Sequence, residues 1–418
     1  MGCSRDLLLI TCLIGLLQWR AQANLPTPSF AAPTKRPGSR GMVFDVTNFG
    51  AVCDGKTDNN KAFLAAWDAA CKFPGPSTFY IPEGNYYFTP VTFLGPCYNQ
   101  LSPHVKIRGN LIAPSGWANS NTTWIVFETL SQLHISGGGV GTMNGKGDTI
   151  WMAPRCSHTN DDNCGMPPTT MQFVGIKGGS LGDITSMNSK AFHIIIMDST
   201  NFIFNNVTIL APEHSPNTDG VHIGDSDDIR IINSRIGTGD DCISIGPGSS
   251  NVNISNVECG PGHGISVGSL GRYPNEKEVR TLRVTNCTLI NTTNGVRIKT
   301  WAGAPDNSVS DFIFENINMI NVTNPIIIDQ KYCDHKSCDQ SKPSRVKLSN
   351  IHYRNIKGTS FSKNAVSITC SDSMPCERVE LVDIELKSIT AGGNVTAVCL
   401  NAKGVASGVL FPTGCELV

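Results

Sequence analysis

The chain has 418 residues, with 33 basic and 34 acidic side chains and a formal net charge of −1. So even a balance excludes a global attraction for nucleic acid or an anionic membrane, and leaves any affinity for an acidic ligand to a local cluster. Beyond the first 23 residues no stretch is apolar enough for a membrane anchor.

Residues 1–23 read as a secretory signal peptide. Arg5 gives a basic start, Leu7 to Leu17 is apolar apart from Thr11 and Cys12, and Ala21-Gln22-Ala23 is a small-residue cleavage site. The run is shorter than the ~20 apolar residues a spanning helix takes. The expectation is a secreted, extracellular protein whose mature chain starts near Asn24. Two of the 16 cysteines fall in that signal, and an even 14 in a secreted chain favours disulfides over metal or redox chemistry. Short separations suggest the pairs Cys156/Cys164, Cys242/Cys259, Cys333/Cys338, Cys370/Cys376 and Cys399/Cys415, leaving Cys53, Cys71, Cys97 and Cys287 unassigned. Sequons at Asn121, Asn206, Asn253, Asn286, Asn291, Asn321 and Asn394 point to N-linked glycans on an outer surface.

Residues 24–41 are rich in Pro, Ala, Thr and basic residues, have no apolar period, and read as a flexible leader. Residues 42–418 read as a single domain. A short strand at Phe44-Asp45-Val46 is followed by Thr57-Asp58-Asn59-Asn60, which introduces an apolar helix through Ala62 to Trp67 with Asp58 or Asn59 as N-cap. A natural task for such a helix is to cap the open end of a solenoid. Thereafter short runs of Val, Ile, Phe and Thr alternate with Gly, Asn, Asp and Pro. From Asp183 a repeat emerges, marked by Asn206, Asn233, Asn256, Asn286, Asn316 and Asn350 at spacings of 27, 23, 30, 30 and 34 residues. Regular strands with irregular spacing predict an all-β, right-handed parallel β-helix whose loops vary in length, with the asparagines laddered at one corner of successive coils.

Chemistry concentrates between Asn217 and Lys299. Asp219 and Asp240 are 21 residues apart and Asp240 and His263 are 23 apart, so one coil of that length would stack them on one face. Asp241 comes with Asp240, and both can face one groove only if the backbone bends there, as Gly237 and Gly239 allow. Clustered carboxylates raise one another's pKa, so one can hold a proton while another stays ionised, which is the equipment of glycoside hydrolysis. Arg297 and Lys299 alternate along one strand, share a face, and suit a sugar that itself carries a carboxylate. A metal site built from Asp219, Asp240, Asp241 and His263 is disfavoured by those two cations, and no metal or other cofactor is expected. Glu213-His214 and Asp225-Ser226-Asp227-Asp228 read as solvated loops.

Four motifs then appear in order: Ser215-Pro216-Asn217-Thr218-Asp219-Gly220, Gly239-Asp240-Asp241-Cys242, Gly262-His263-Gly264 and Arg297-Ile298-Lys299. With them the chain resembles the polygalacturonases of glycoside hydrolase family twenty-eight from about Phe44 onward, and through the continuous runs Gly237 to Gly248 and Cys259 to Ser266 it resembles the plant, pollen-type exo-acting branch of that family. The resemblance implies a pectin-lyase-like β-helix that hydrolyses α-1,4 links of polygalacturonate with inversion and without metal. It implies Asp240 as general acid, Asp219 and Asp241 activating water, and His263 tuning or holding the acid. Asn217, Arg297, Lys299 and Tyr332 would bind substrate. A monomer acting on pectin in the cell wall is expected. The alternatives are an endo-acting enzyme with the same catalytic residues, a lyase, and a non-catalytic pectin-binding wall protein.

Overall fold

The structure, a computed structural model, describes residues 41–116, 123–151, 167–333, 338–390 and 392–417. The signal segment, the leader up to residue 40, the sequon at Asn121 and the Cys156/Cys164 pair lie outside the described residues.

Alternating apolar residues form strands that stack coil upon coil in parallel. Successive parallel strands joined through a crossover wind right-handedly, and the chain is the right-handed parallel β-helix expected from its repeat. One sheet holds the strands Ile194–Met197, Val221–Gly224, Ile243–Ile245, Ile265–Leu270, Asn294–Trp301 and Asn324–Tyr332 side by side. Its inward face carries aliphatic columns, among them Ile196, Ile223, Ile245, Val267, Ile298, Ile328 and Ile368, in register from coil to coil and buried. The other sheet turns a corner: Lys177–Met187 pairs with Ser131–Ser136 through its first half and with Thr142–Asn144 through its second.

Among the described residues the one α-helix is Asn60–Lys72, longer than the expected run. Its N-cap is Asn59, whose side chain turns away to Val52 without a capping bond, while Asp58 just before it accepts from the Asn60 amide at 3.1 Å. Phe63 and Trp67 plug the end of the coil stack, starting an aromatic file with ring centroids 5.0 Å (Trp67–Phe93), 5.0 Å (Phe93–Phe127), 5.7 Å (Phe127–Phe173) and 4.9 Å (Phe173–Phe202) apart. The disulfide Cys71–Cys97 ties this helix to the coil stack. The expected bridges Cys242–Cys259, Cys333–Cys338, Cys370–Cys376 and Cys399–Cys415 are present. Cys287 is a free, buried thiol whose pKa burial pushes up to about 11.

The asparagine row exists, with one correction. Asn206, Asn233, Asn256, Asn286 and Asn316 all take left-handed backbone angles at one corner, where Asn tolerates the positive φ that most side chains resist. Their amides bond along the stack: Asn206 to Asp183 (2.8 Å), Asn256 to Asn233 (3.2 Å), Asn316 to Asn286 (3.2 Å). The next member is Asn355, 39 residues after Asn316 and bonded to it at 2.7 Å, not Asn350. Strand register aligns Asn350 with Asp311 instead, in a second corner row, where its amide donates to Asp311 at 2.6 Å. A long connection around the Cys333–Cys338 bridge lengthens this coil, so counting residues lands on the wrong corner.

Asn233 tests both tasks of the row, since it donates to Asn205 at 3.0 Å and accepts from Asn256. In urea unfolding, Asn233→Gly keeps the backbone angle and should cost about 1 kcal/mol for the lost bonds. Asn233→Ala should cost roughly 1 kcal/mol more, the strain of a Cβ at positive φ.

Candidate active site

Each carboxylate enters the site from the end of a different turn. Thr218 is fully buried: its hydroxyl meets that of Ser215 at 2.8 Å and accepts from the Gly239 amide at 3.0 Å, stitching the first motif to the second. Asp219 follows it, 6% exposed, its carboxylate accepting from Ser244 Oγ at 2.8 Å. Asn217, just ahead, is exposed at the rim with φ of +53°.

The bend needed at Asp240-Asp241 is there, between the strands Arg235–Gly237 and Ile243–Ile245. Gly239 makes it possible, because a Cβ at that position would lie 1.9 Å from the Ser215 carbonyl oxygen. Asp240 folds back so that its carboxylate accepts from the Asp241 amide at 2.8 Å, and His263 Nδ1 lies 2.9 Å from the same oxygen. Cys242, next in the chain, points inward and is bridged to Cys259, which pins the bend to the interior.

Asp241 is 2% exposed and surrounded by donors: Ser266 Oγ at 2.7 Å, Arg297 Nη2 at 2.9 Å and Lys299 Nζ at 3.0 Å. Both cations therefore reach the carboxylate cluster itself. Arg297 also donates through Nε to Ser266 Oγ at 3.0 Å. Lys299 Nζ lies 5.4 Å over the Tyr332 ring, which brings the last of the expected substrate residues alongside the group. Glu213 and His214 are exposed outside it, and the acidic turn at Asp225–Asp228 is occupied by Lys277, Ser250, Asn251 and Arg230.

Three site residues were missed: His222, Ser244 and Ser266. Their signal was present. Val221-His222-Ile223, Ile243-Ser244-Ile245, Ile265-Ser266-Val267 and Val296-Arg297-Ile298 each place one polar side chain between two inward aliphatics, and strand register aligns the four in one outward column. His222 Nδ1 lies 2.8 Å from Ser244 Oγ, so His222, Ser244 and Asp219 form a chain. Phe192 stacks on His222 at 5.4 Å, and desolvation holds the imidazole near pKa 4 and thus neutral.

Burial first, then the charges of Asp240 and Asp241, push Asp219 well above the usual carboxylate range. Burial also acts upward on Asp240, but the hydrogen bond and charge of His263 outweigh it and hold Asp240 below that range. The resting site thus separates its carboxylates, with the proton favoured on Asp219. Oxygen and nitrogen atoms of Asp240, Asp241 and His263 come within 4.8 Å of one another, a spacing a cation could use. Those atoms are already committed, to one another and to Arg297 and Lys299.

A buried carboxylate cluster on a β-helix, flanked by fixed cations, is the equipment that acid/base glycoside hydrolysis requires. The family model described as "Glycosyl hydrolases family 28" matches residues 71–408, and the chain belongs to that family. It is 45% identical to an exopolygalacturonase of Platanus acerifolia over 90% of this chain and 98% of that one. It is 43% identical to a polygalacturonase of Gossypium hirsutum over 90% and 91% of the two chains. Among solved structures the fold matches an endo-xylogalacturonan hydrolase from Aspergillus tubingensis with a TM-score of 0.72, at 23% identity over 88% of this chain and 99% of that one. It also matches an exopolygalacturonase from Thermotoga maritima with a TM-score of 0.65, at 17% identity over 85% and 90%.

The raised pKa of Asp219 has a consequence for stability. The folded state binds that proton more tightly than the unfolded chain, whose carboxyl titrates near 3.8, so stability falls as pH rises from there through the raised value. Asp219→Asn removes the penalty. Its melting temperature should exceed that of the wild type at neutral pH, and the gap should close as pH falls below about 4.

Proposed function

We propose that this protein is a secreted exopolygalacturonase, hydrolysing α-1,4-galacturonosyl links of pectin from the non-reducing end with inversion. The observation that carries the substrate class is the pairing of Arg297 and Lys299 with Asp241 inside the carboxylate cluster. Two cations set into the groove wall favour a sugar bearing a carboxylate over a neutral one. The plant relatives named exopolygalacturonase support the exo mode and the pectin substrate.

In this reading Asp240 protonates the glycosidic oxygen as the C1–O bond breaks, and Asp219 with Asp241 directs a water onto the opposite face of the sugar. The proton reaches Asp240 across its 2.9 Å hydrogen bond with His263 Nδ1. A base with a raised pKa is a stronger base once ionised, which suits Asp219. When a galacturonate carboxylate draws Arg297 and Lys299 toward itself, the Asp241 oxygens they occupy are freed to accept from the attacking water, so substrate charge and water activation are coupled. Asn217 at the rim and Tyr332 beside Lys299 contact the sugar.

The signal at residues 1–23, the leader at 24–41 and the catalytic domain at 42–418 fit a monomer exported to the cell wall. Among the described residues no helix is long and apolar enough to cross a membrane. Asn206, Asn286, Asn291, Asn321 and Asn394 are exposed and suited to N-glycans, and no cofactor enters the mechanism.

With polygalacturonate as substrate, monomeric galacturonate should be released from the first turnovers while viscosity falls slowly. Proton NMR of the nascent product should show the β-anomer first, as inversion requires. Asp240→Asn should lower kcat roughly 10²–10⁴-fold with little change in KM. Early mid-length oligomers, an unsaturated ultraviolet-absorbing product, or undiminished activity of Asp240→Asn would each contradict a stated part of this reading.

A further inference from the structure

The strand that carries Arg297 and Lys299 continues to Trp301, and alternate residues of a strand share a face. Trp301 follows roughly 6.6 Å beyond Lys299 along the strand, partly buried against the core with its indole Nε1 enclosed and the rest of its ring at the surface. Its ring meets Tyr332 edge-on with centroids 5.4 Å apart, and Tyr332 in turn lies beneath Lys299. On the other side of Trp301 stands Arg272, from the loop after Ile265–Leu270, with its guanidinium 5.2 Å from the Trp301 ring centre and 5.5 Å from that of Tyr273. Cations and rings thus form one continuous file from Asp241 outward: Lys299, Tyr332, Trp301, Arg272, Tyr273.

The loop is built to present Arg272. Glu276 accepts from the Gly271 amide at 2.7 Å with one carboxylate oxygen and from the Tyr273 amide at 2.8 Å with the other, clamping the backbone on both sides of Arg272. Gly271 takes a φ of +79°, and a Cβ there would lie 2.4 Å from the Ala304 side chain, so only glycine lets the loop close onto the turn after Trp301. Arg272 itself is exposed and, among the described residues, has no ion-pair partner. A guanidinium laid against aromatic rings keeps its N–H edge free for a carboxylate in its plane, with little rotamer freedom left to lose.

We infer that Arg272, Tyr273 and Trp301 form a second carboxylate-sugar subsite, in which the rings support the face of a galacturonate unit next to the one held by Arg297 and Lys299 and Arg272 takes its carboxylate. The inference rests on the reading of the substrate as polygalacturonate, where neighbouring units each carry that charge. The subsite acts on binding and lies outside the chemistry.

Steady-state kinetics of full-length wild type and Arg272→Gln on pentagalacturonate test it, with urea midpoints checked to be equal. The variant should raise KM about tenfold, the loss expected for one charge-assisted hydrogen bond, and keep saturating kcat within twofold. A KM within twofold of wild type, or a loss confined to kcat, would overturn the subsite. Failure of the function reading is distinguishable, because wild type itself would then release no monomeric galacturonate from the oligomer.

Discussion

Backbone register between successive coils is the constraint from which the site follows. The Gly220 amide bonds to the Asp241 carbonyl at 2.9 Å, the His263 amide to the Asp240 carbonyl at 2.8 Å and the Cys242 amide to the Gly264 carbonyl at 2.8 Å. These bonds hold residues from three turns one strand spacing apart, about 4.8 Å. The carboxylates of Asp219, Asp240 and Asp241 cannot separate without breaking the ladder, and the aliphatic column beneath them leaves no room to retreat. Burial first, and then charge repulsion that a flexible loop would relax, are therefore retained, and together they surface as the raised pKa of Asp219.

The same register supplies the compensation. Asp241, Ser266 and Arg297 come from three adjacent turns and bond in sequence, with Lys299 added from the last. His263, placed by its own amide bond to Asp240, offsets that second carboxylate. Asp219 alone meets only neutral partners, Ser244 and through it the uncharged His222, and so it is the member that favours a proton. One repeat geometry thus yields three carboxylates with three different environments.

Much of this was legible in the chain. Alternating aliphatics with irregular spacing gave the coil, and Asp219, Asp240, Asp241, His263, Arg297 and Lys299 meet where the motifs placed them. The part that was not legible depends on register, which residue counts do not convey. Residue spacing points to Asn350 for the corner that Asn355 occupies, because a lengthened connection shifts the count without shifting the strands. His222, Ser244 and Ser266 look unremarkable singly and become a column only once the turns are aligned. That Arg297 and Lys299 spend the resting state on Asp241, and that His263 pulls Asp240 downward while Asp219 rises, are facts of atomic distance.

The central claim is that a galacturonate chain lies across this cluster with its glycosidic oxygen at Asp240. The most direct measurement is a crystal structure of Asp240→Asn bound to an oligogalacturonate. The account expects the glycosidic oxygen within hydrogen-bonding distance of residue 240, a water between the sugar and Asp219 or Asp241, and a substrate carboxylate on Arg297 and Lys299. An oligomer bound with that oxygen on another carboxylate, or with its own carboxylates turned away from both cations, would contradict it.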